Sequence, residues 1–304
     1  MTDTRLPIPE AVTKIRAVVI GAGSMANAVH YPSLSHMEDV EIAAICDVAE
    51  AALHSTADKY QIEARFNNYR QMIETTAPDA VYAIGPPPAM YDIWVWCLQQ
   101  GLNLYIEKPL GVTLHQAQIL AYLAEKHQVT TQVSFQRRTC PLLTMLHGEC
   151  ICHGPVSHAV CSFYKSEAGP HLGPLGRVID DGVHAIDTLR WICGGEVVDV
   201  QPGLRHIGGP DVNLALALLH FENGATGVLM NNWNSGRRIF RVEIHAPGIC
   251  AEGDPEGEGR LYAGGDTQGT HYTTREAAGS DQLYVYGGFL AKHREFIDAI
   301  RAGT

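Results

Sequence analysis

Glu107-Lys108-Pro109 places a cation at the end of the apolar run Asn103-Leu104-Tyr105-Ile106. Proline disfavours helical geometry in the residue before it. Lys108 is therefore expected to stay extended at a strand's carboxyl end, the edge where open α/β sheets bind ligands. A second constellation, Asp180-Asp181-Gly182-Val183-His184-Ala185-Ile186-Asp187, lies within the helical stretch Val178 to Ile192. At i and i+4, Asp180 and His184 can face one cleft, and Asp187 is placed to orient or charge the imidazole. A histidine near its unperturbed pKa can take a proton from an alcohol while hydride leaves the same carbon. Lys108 could stabilise negative charge developing on that oxygen. The alternative is an amphipathic helix whose leading acids only cap its first turn.

A hydride acceptor needs its own seat, and the start of the chain supplies one. The strand Ile15-Arg16-Ala17-Val18-Val19-Ile20 runs into Gly21-Ala22-Gly23-Ser24-Met25-Ala26, with a helix expected from about Ser24. Strand, tight glycine turn and helix form the context that the dinucleotide fingerprint requires. Gly21 permits the turn, and Gly23 lets backbone N–H groups approach a pyrophosphate at the positive helix end. The next strand, Val40 to Cys46, ends at Asp47, which would accept from a ribose 2′-hydroxyl and repel a 2′-phosphate. NAD is favoured, with NADP left open because neighbouring cations could rescue a phosphate. The proline-rich turn Gly85-Pro86-Pro87-Pro88 can wall the same cleft or serve only as a stiff turn. The candidate cofactor contacts are Gly21, Gly23, Ser24, Met25, Asp47, Pro87, Glu107 and Lys108. A glycine turn that binds no cofactor is the competing reading.

These residues need two supporting units. Residues 15 to 135 alternate apolar runs with helical patterns near Ala49 to Tyr60, Tyr69 to Thr75, Met90 to Gln100 and Leu114 to His127, which predicts a doubly wound parallel sheet. After about Arg138 longer β runs follow one another, interrupted by the helix Val178 to Ile192, as in a mainly antiparallel α+β unit. The expected division is 14–138 for the dinucleotide unit and 139–304 for substrate binding and oligomer contacts. The glycine- and acid-rich run Glu252 to Gly259 reads as a solvated loop. A chain of 304 residues fits two domains, and its net charge of −11 argues against a nucleic-acid partner. The eight cysteines form no regular framework, no apolar segment could span a bilayer, and Met1 to Arg5 lacks a signal-peptide core. A soluble, reducing, cytoplasmic setting is expected.

With Gly21-Ala22-Gly23-Ser24-Met25-Ala26, Asp47, Glu107-Lys108-Pro109, Arg138 with Pro141, and Asp180-x-Gly182-x-His184-x-x-Asp187 in this order, the chain resembles the Gfo/Idh/MocA family of nicotinamide-dependent oxidoreductases. The resemblance implies a Rossmann domain followed by an open-faced α+β domain whose sheet often makes dimer or tetramer contacts. It also implies Lys108, Asp180 and His184 as the catalytic set, His184 as acid/base, and sugars, cyclitols or related polyols as substrates. Tyr91 stands where the family often has His, and Leu175-Gly176 where it often has Gly-Gly. Arg177 then enters the substrate side as a clamp for a carboxylate or phosphate, or lies on the surface. The segment Tyr164 to His171, with the double acid Asp180-Asp181, is similar to the MviM-type branch. Relatives usually continue beyond Arg301-Ala302-Gly303-Thr304 through one more helical segment.

Other clusters carry less. Cys150-Ile151-Cys152-His153 has soft ligand types but no second cluster to complete a zinc site, so no metal is expected. His30 is expected to pack, and His171 is a rival base in a loop. Tyr164, Lys165, His171 and Arg177 are the candidate substrate contacts, while Trp233 and Tyr164 could stack on a sugar or belong to the core. Two other activities share these features. One is glycoside cleavage by transient NAD-dependent oxidation and elimination. The other is a non-catalytic nicotinamide sensor that controls a protein partner.

Overall fold

The computed structural model describes residues 13–167, 173 and 175–304. Its first sheet contains β1 (Ile15–Ile20), β2 (Val40–Cys46), β3 (Arg65–Phe66), β4 (Ala80–Ala83), β5 (Leu104–Ile106) and β6 (Thr131–Val133). All pairings are parallel, in the order β3-β2-β1-β4-β5-β6. The crossovers carry α1 (Tyr31–His36), α2 (Glu50–Lys59), α3 (Tyr69–Thr76), α4 (Pro87–Gln99) and α5 (Leu114–His127). The unbroken apolar reading of β1 follows from burial on both faces: Ala17 and Val19 enter one core layer, Val18 and Ile20 the other. Strand order reverses between β1 and β4, which opens a crevice at their carboxyl ends.

The second sheet has the order β14-β13-β12-β11-β7-β10-β9-β8. Its strands are β7 (His158–Ser166), β8 (Val197–Arg205), β9 (Leu214–Phe221), β10 (Thr226–Asn232), β11 (Asn234–Ala246), β12 (Ile249–Gly253), β13 (Glu258–Ala263) and β14 (Thr270–Thr273). Only β7 and β10 pair in parallel. Helices α6 (Pro141–His153) and α7 (Val183–Cys193) bury one face, where Leu142, Leu146, Ala185 and Leu189 meet Cys161, Phe163, Leu229 and Val242. On the opposite face Ser162, Tyr164, Val228 and Met230 keep partial exposure.

Two sequence expectations change here. Helix α6 was hidden by the β-rich reading, although Pro141 at its first turn is an ordinary start signal. The acidic run is not a free loop: Glu252 and Gly253 end β12, a strand paired on both sides, and Glu258 and Gly259 open β13. After the short helices α8 (Thr274–Ala278) and α9 (Leu283–Tyr286), α10 (Phe289–Ala302) returns to the first sheet. There Phe296 and Ile297 join the core built by Ala17, Val19 and Tyr82.

Candidate functional site

The glycine turn sits over the β1/β4 crevice. Gly21 has φ +112°, and a Cβ there would lie 2.0 Å from the Ile84 carbonyl oxygen, so no side chain fits. At Gly23 a Cβ would meet nothing within 4 Å, because the position opens outward. Gly23, Ser24 and Met25 are exposed at the start of a helix that runs through a π-helical turn, Ala26–His30, into α1. Asp47 follows β2 directly; its Oδ2 accepts from the Ala22 amide at 2.7 Å and its Oδ1 from the Ala49 amide at 2.8 Å. The carboxylate thus fixes the glycine turn and keeps lone pairs for a further donor. Pro87 opens α4 above the end of β4. An open glycine cradle, a helix start and a carboxylate at the next strand's end fit a dinucleotide.

Glu107 differs from its expected role. It is buried, and its Oε1 lies 2.9 Å from His30 Nε2, so the carboxylate faces the protein core rather than a cofactor. Lys108 turns the other way. Its Nζ donates to the carbonyl oxygen of Asp180 at 2.9 Å and to Asp180 Oδ1 at 3.0 Å, joining the β5 end to the second unit. Asp180 lies in a π-helical turn, Val178–Gly182, that precedes α7, so the expected continuous α-helix begins with a wider turn.

His184 stands in the first turn of α7, with its ring edge-on to Phe163 at 6.3 Å between centroids. Nδ1 is buried and has no hydrogen-bond partner. Burial holds the imidazole pKa well below 6.5, and the charges of Lys108, Arg137, Lys165 and Arg238 push the same way. His184 is therefore neutral at neutral pH, with one ring nitrogen that carries a lone pair. The expected near-normal pKa is corrected, as is the partner: Asp187 instead forms a two-pronged pair with Arg138, at 2.8 and 2.6 Å.

The remaining candidates divide by strand face. Phe163 and Lys165 share the α7 side of β7, where Lys165 Nζ reaches Asp181 Oδ2 at 2.8 Å. Tyr164 points to the opposite face, with its hydroxyl near Ser162 and Met230, and is separated from His184 by the sheet. Trp233 is fully buried and donates to Asp181 at 3.2 Å, so it is core rather than a stacking platform. Arg177 is buried and paired with Glu167 at 3.0 Å, not a surface residue. His171 lies outside the described residues.

Sequence reasoning missed Arg137, Arg238 and Glu256. Glu256, in the β12–β13 turn, accepts from both guanidinium groups at 2.6 to 3.0 Å. Burial pushes its carboxyl up, but the hydrogen bonds and charges of Arg238 and Arg137 prevail and set the pKa at about 2. A 130 Å³ apolar cavity lined by Trp94, Leu104 and Leu120 contains no titratable group and is unsuited to the reaction. Among the described residues, no group of three or more His, Cys, Asp or Glu side chains could hold a metal ion.

Residues 15–135 match the NAD-binding Rossmann-fold module of the Gfo/Idh/MocA oxidoreductases, and residues 153–247 match that family's C-terminal domain. The chain belongs to the Gfo/Idh/MocA oxidoreductase family. The glycine turn lies within the matched NAD-binding module. The sequence is 26% identical to myo-inositol 2-dehydrogenase of Thermotoga maritima, over 92% of this chain and 84% of that protein. It is also 26% identical to the uncharacterized oxidoreductase YrbE of Bacillus subtilis, over 70% of this chain, and spans just under two thirds, 66%, of that relative. The fold is similar to that of a dehydrogenase from Chromobacterium violaceum, with a TM-score of 0.86, 20% identity, and coverage of 95% of this chain and 88% of the other.

Proposed function

We propose that this NAD-binding oxidoreductase transfers hydride between nicotinamide and a secondary alcohol or ketone of a cyclitol, sugar or related polyol. One observation carries the reading: Lys108, clamped by Asp180, and neutral His184 lie where the end of β5 meets the start of α7, at the same carboxyl edge of the first sheet as the glycine turn. Bound through Gly23, Ser24, Met25 and Asp47, with Pro87 at the cleft wall, the nicotinamide cofactor would supply the hydride acceptor or donor. His184 then takes the hydroxyl proton through Nε2, the ring nitrogen that is not buried. Lys108 hydrogen-bonds the reacting oxygen, and Asp180 holds the ammonium in place. Lys165, which pairs with Asp181, and Arg177, which pairs with Glu167, are the candidates for contacts to the rest of the substrate.

The inositol name of the Thermotoga relative supports a cyclitol screen. The division of labour follows the two sheets: 14–138 with α10 packed against it for the cofactor, and the rest of 139–304 for substrate. The half-exposed face bearing Tyr164, Val228 and Met230 is the surface proposed to join copies into a dimer or tetramer. All eight cysteines are free thiols, which suits a reducing cytoplasm, and no helix among the described residues is long and apolar enough to cross a membrane.

Lys108→Ala and His184→Asn, assayed separately with NAD on inositols and glucosides, should each lower kcat at least a hundredfold and leave NAD affinity within about threefold. Wild-type turnover in both variants would remove the assignment.

A further inference from the structure

Behind the catalytic lysine runs a buried chain of polar groups that the reaction itself does not use. His293 Nε2 lies 3.0 Å from His30 Nδ1, and His30 Nε2 lies 2.9 Å from Glu107 Oε1. Glu107 Oε2 accepts from the Lys108 amide at 3.2 Å. Both histidines are fully buried, and Glu107 nearly so. The links come from three distant segments: the π-helical turn before α1, the end of β5, and α10.

The hydrogen-bond directions follow from the donor inventory. A carboxylate only accepts, so His30 Nε2 carries a proton toward Glu107. A neutral His30 then accepts at Nδ1, and His293 donates from Nε2. What remains is one lone pair, on His293 Nδ1, which has no partner. An imidazolium at His30 would instead leave a buried N–H of His293 without an acceptor, the costlier defect. Burial and the adjacent His30 also hold the His293 pKa well below 6.5. Packing fixes the rings: Tyr105 stacks on His293 at 4.6 Å, and Tyr105 and Phe289 stand edge-on to His30.

We propose that His30 and His293 are positioning residues for Lys108, holding Glu107 in the core so that the backbone of the lysine is fixed at the end of β5. The proposal rests on the reading of Lys108 as a catalytic residue. Without the His30 donor, the buried Oε1 of Glu107 loses its partner and the carboxylate is drawn toward water. The Lys108 amide then loses its acceptor, and Nζ loses its alignment with Asp180.

The test compares His30→Phe, His293→Phe and His30→Gln in the full chain. Phenylalanine keeps the ring packing and removes the donor, whereas glutamine restores an N–H toward Glu107. Hydrogen exchange of the segment containing Lys108 should speed up at least tenfold in His30→Phe and more modestly in His293→Phe, and return toward wild type in His30→Gln. kcat should follow the same order, with KM for NAD within about twofold. The exchange measurement needs no substrate, so an inactive wild type would refute the assigned activity and leave this result readable. Wild-type exchange in folded His30→Phe, or His30→Gln behaving like His30→Phe, would overturn the proposal. If His30→Phe does not fold, His293→Phe decides by the same measurement. Loss of fold in both would also overturn it, because the network would then serve folding rather than placement.

Discussion

Replacing Gly21 and Gly23 with alanine, one at a time, separates the turn's two roles. At Gly21, φ +112° is a conformation L-residues rarely adopt, and the added Cβ would lie 2.0 Å from the Ile84 oxygen. That oxygen belongs to a residue whose amide donates to Ile20 at 2.8 Å, so relief requires β1 and β4 to part. Backbone strain of about 1–3 kcal/mol and a steric term of about 1–3 kcal/mol predict a loss of roughly 2–6 kcal/mol. At about 2–4 °C per kcal/mol, the melting midpoint should fall by roughly 5–20 °C. Gly23→Ala meets no atom within 4 Å, so its midpoint should stay near wild type. Its methyl group would instead occupy the approach to a pyrophosphate, lowering NAD affinity at least tenfold, or about 1.4 kcal/mol. Thermal melting paired with NAD calorimetry reads both. A folded Gly23→Ala variant that binds NAD as wild type would refute the phosphate-cradle argument, and an unshifted midpoint in Gly21→Ala would refute the steric one.

Acid should destabilise the fold below about pH 6.5. Buried His184 and His293 have lowered folded pKa values, so the unfolded chain alone takes up their protons there, and stability falls by up to about 1.4 kcal/mol per pH unit for each. Urea titrations at pH 7.5 and 5.5 giving equal stability would contradict this; the Glu256 contribution is lost only below about pH 4.5. Arg138→Ala strands the largely buried Asp187 carboxylate and should cost about 2–3 kcal/mol, without moving the pH profile of turnover. A displaced acid limb would show that Asp187 does act on His184. Asp47→Ser removes the charge expected to repel a 2′-phosphate, so the NADP-to-NAD affinity ratio should rise at least tenfold in calorimetry; an unchanged ratio would place cofactor discrimination elsewhere.

Much of the first sheet could be read from the chain because its signals are local. Val18 and Val19 are buried on opposite faces, so β1 reads as an unbroken apolar run, and Asp47 declares itself by following the next such run. Lys108 and Asp180 were recognisable individually, each beside a distinctive neighbour. That they form an ion pair with each other is visible only in the fold. What escaped depends on competition between distant residues. Asp187 is one helical turn from His184, but Arg138 offers two hydrogen bonds from another segment and takes the carboxylate. Glu256 looked like part of a solvated acidic run because nothing local reveals that Arg137 and Arg238 converge on it. Alternation along β7 did hold the clue that Tyr164 and Lys165 face opposite ways, since neighbours on a strand cannot share a face.

Helix α10 also bears on how the protein is made. Phe296 and Ile297 complete a core layer whose other members, among them Ala17, Val19, Leu34, Leu53 and Tyr82, are synthesised far earlier. During translation the first sheet can pair its strands and pack α1 and α2 on this face, but the layer stays incomplete until α10 emerges. Such sequence-distant closure slows folding, because the first unit's core waits on a segment delivered after the second unit. The full stability of the first unit is consequently a late event in the life of the chain, although its sheet is made early.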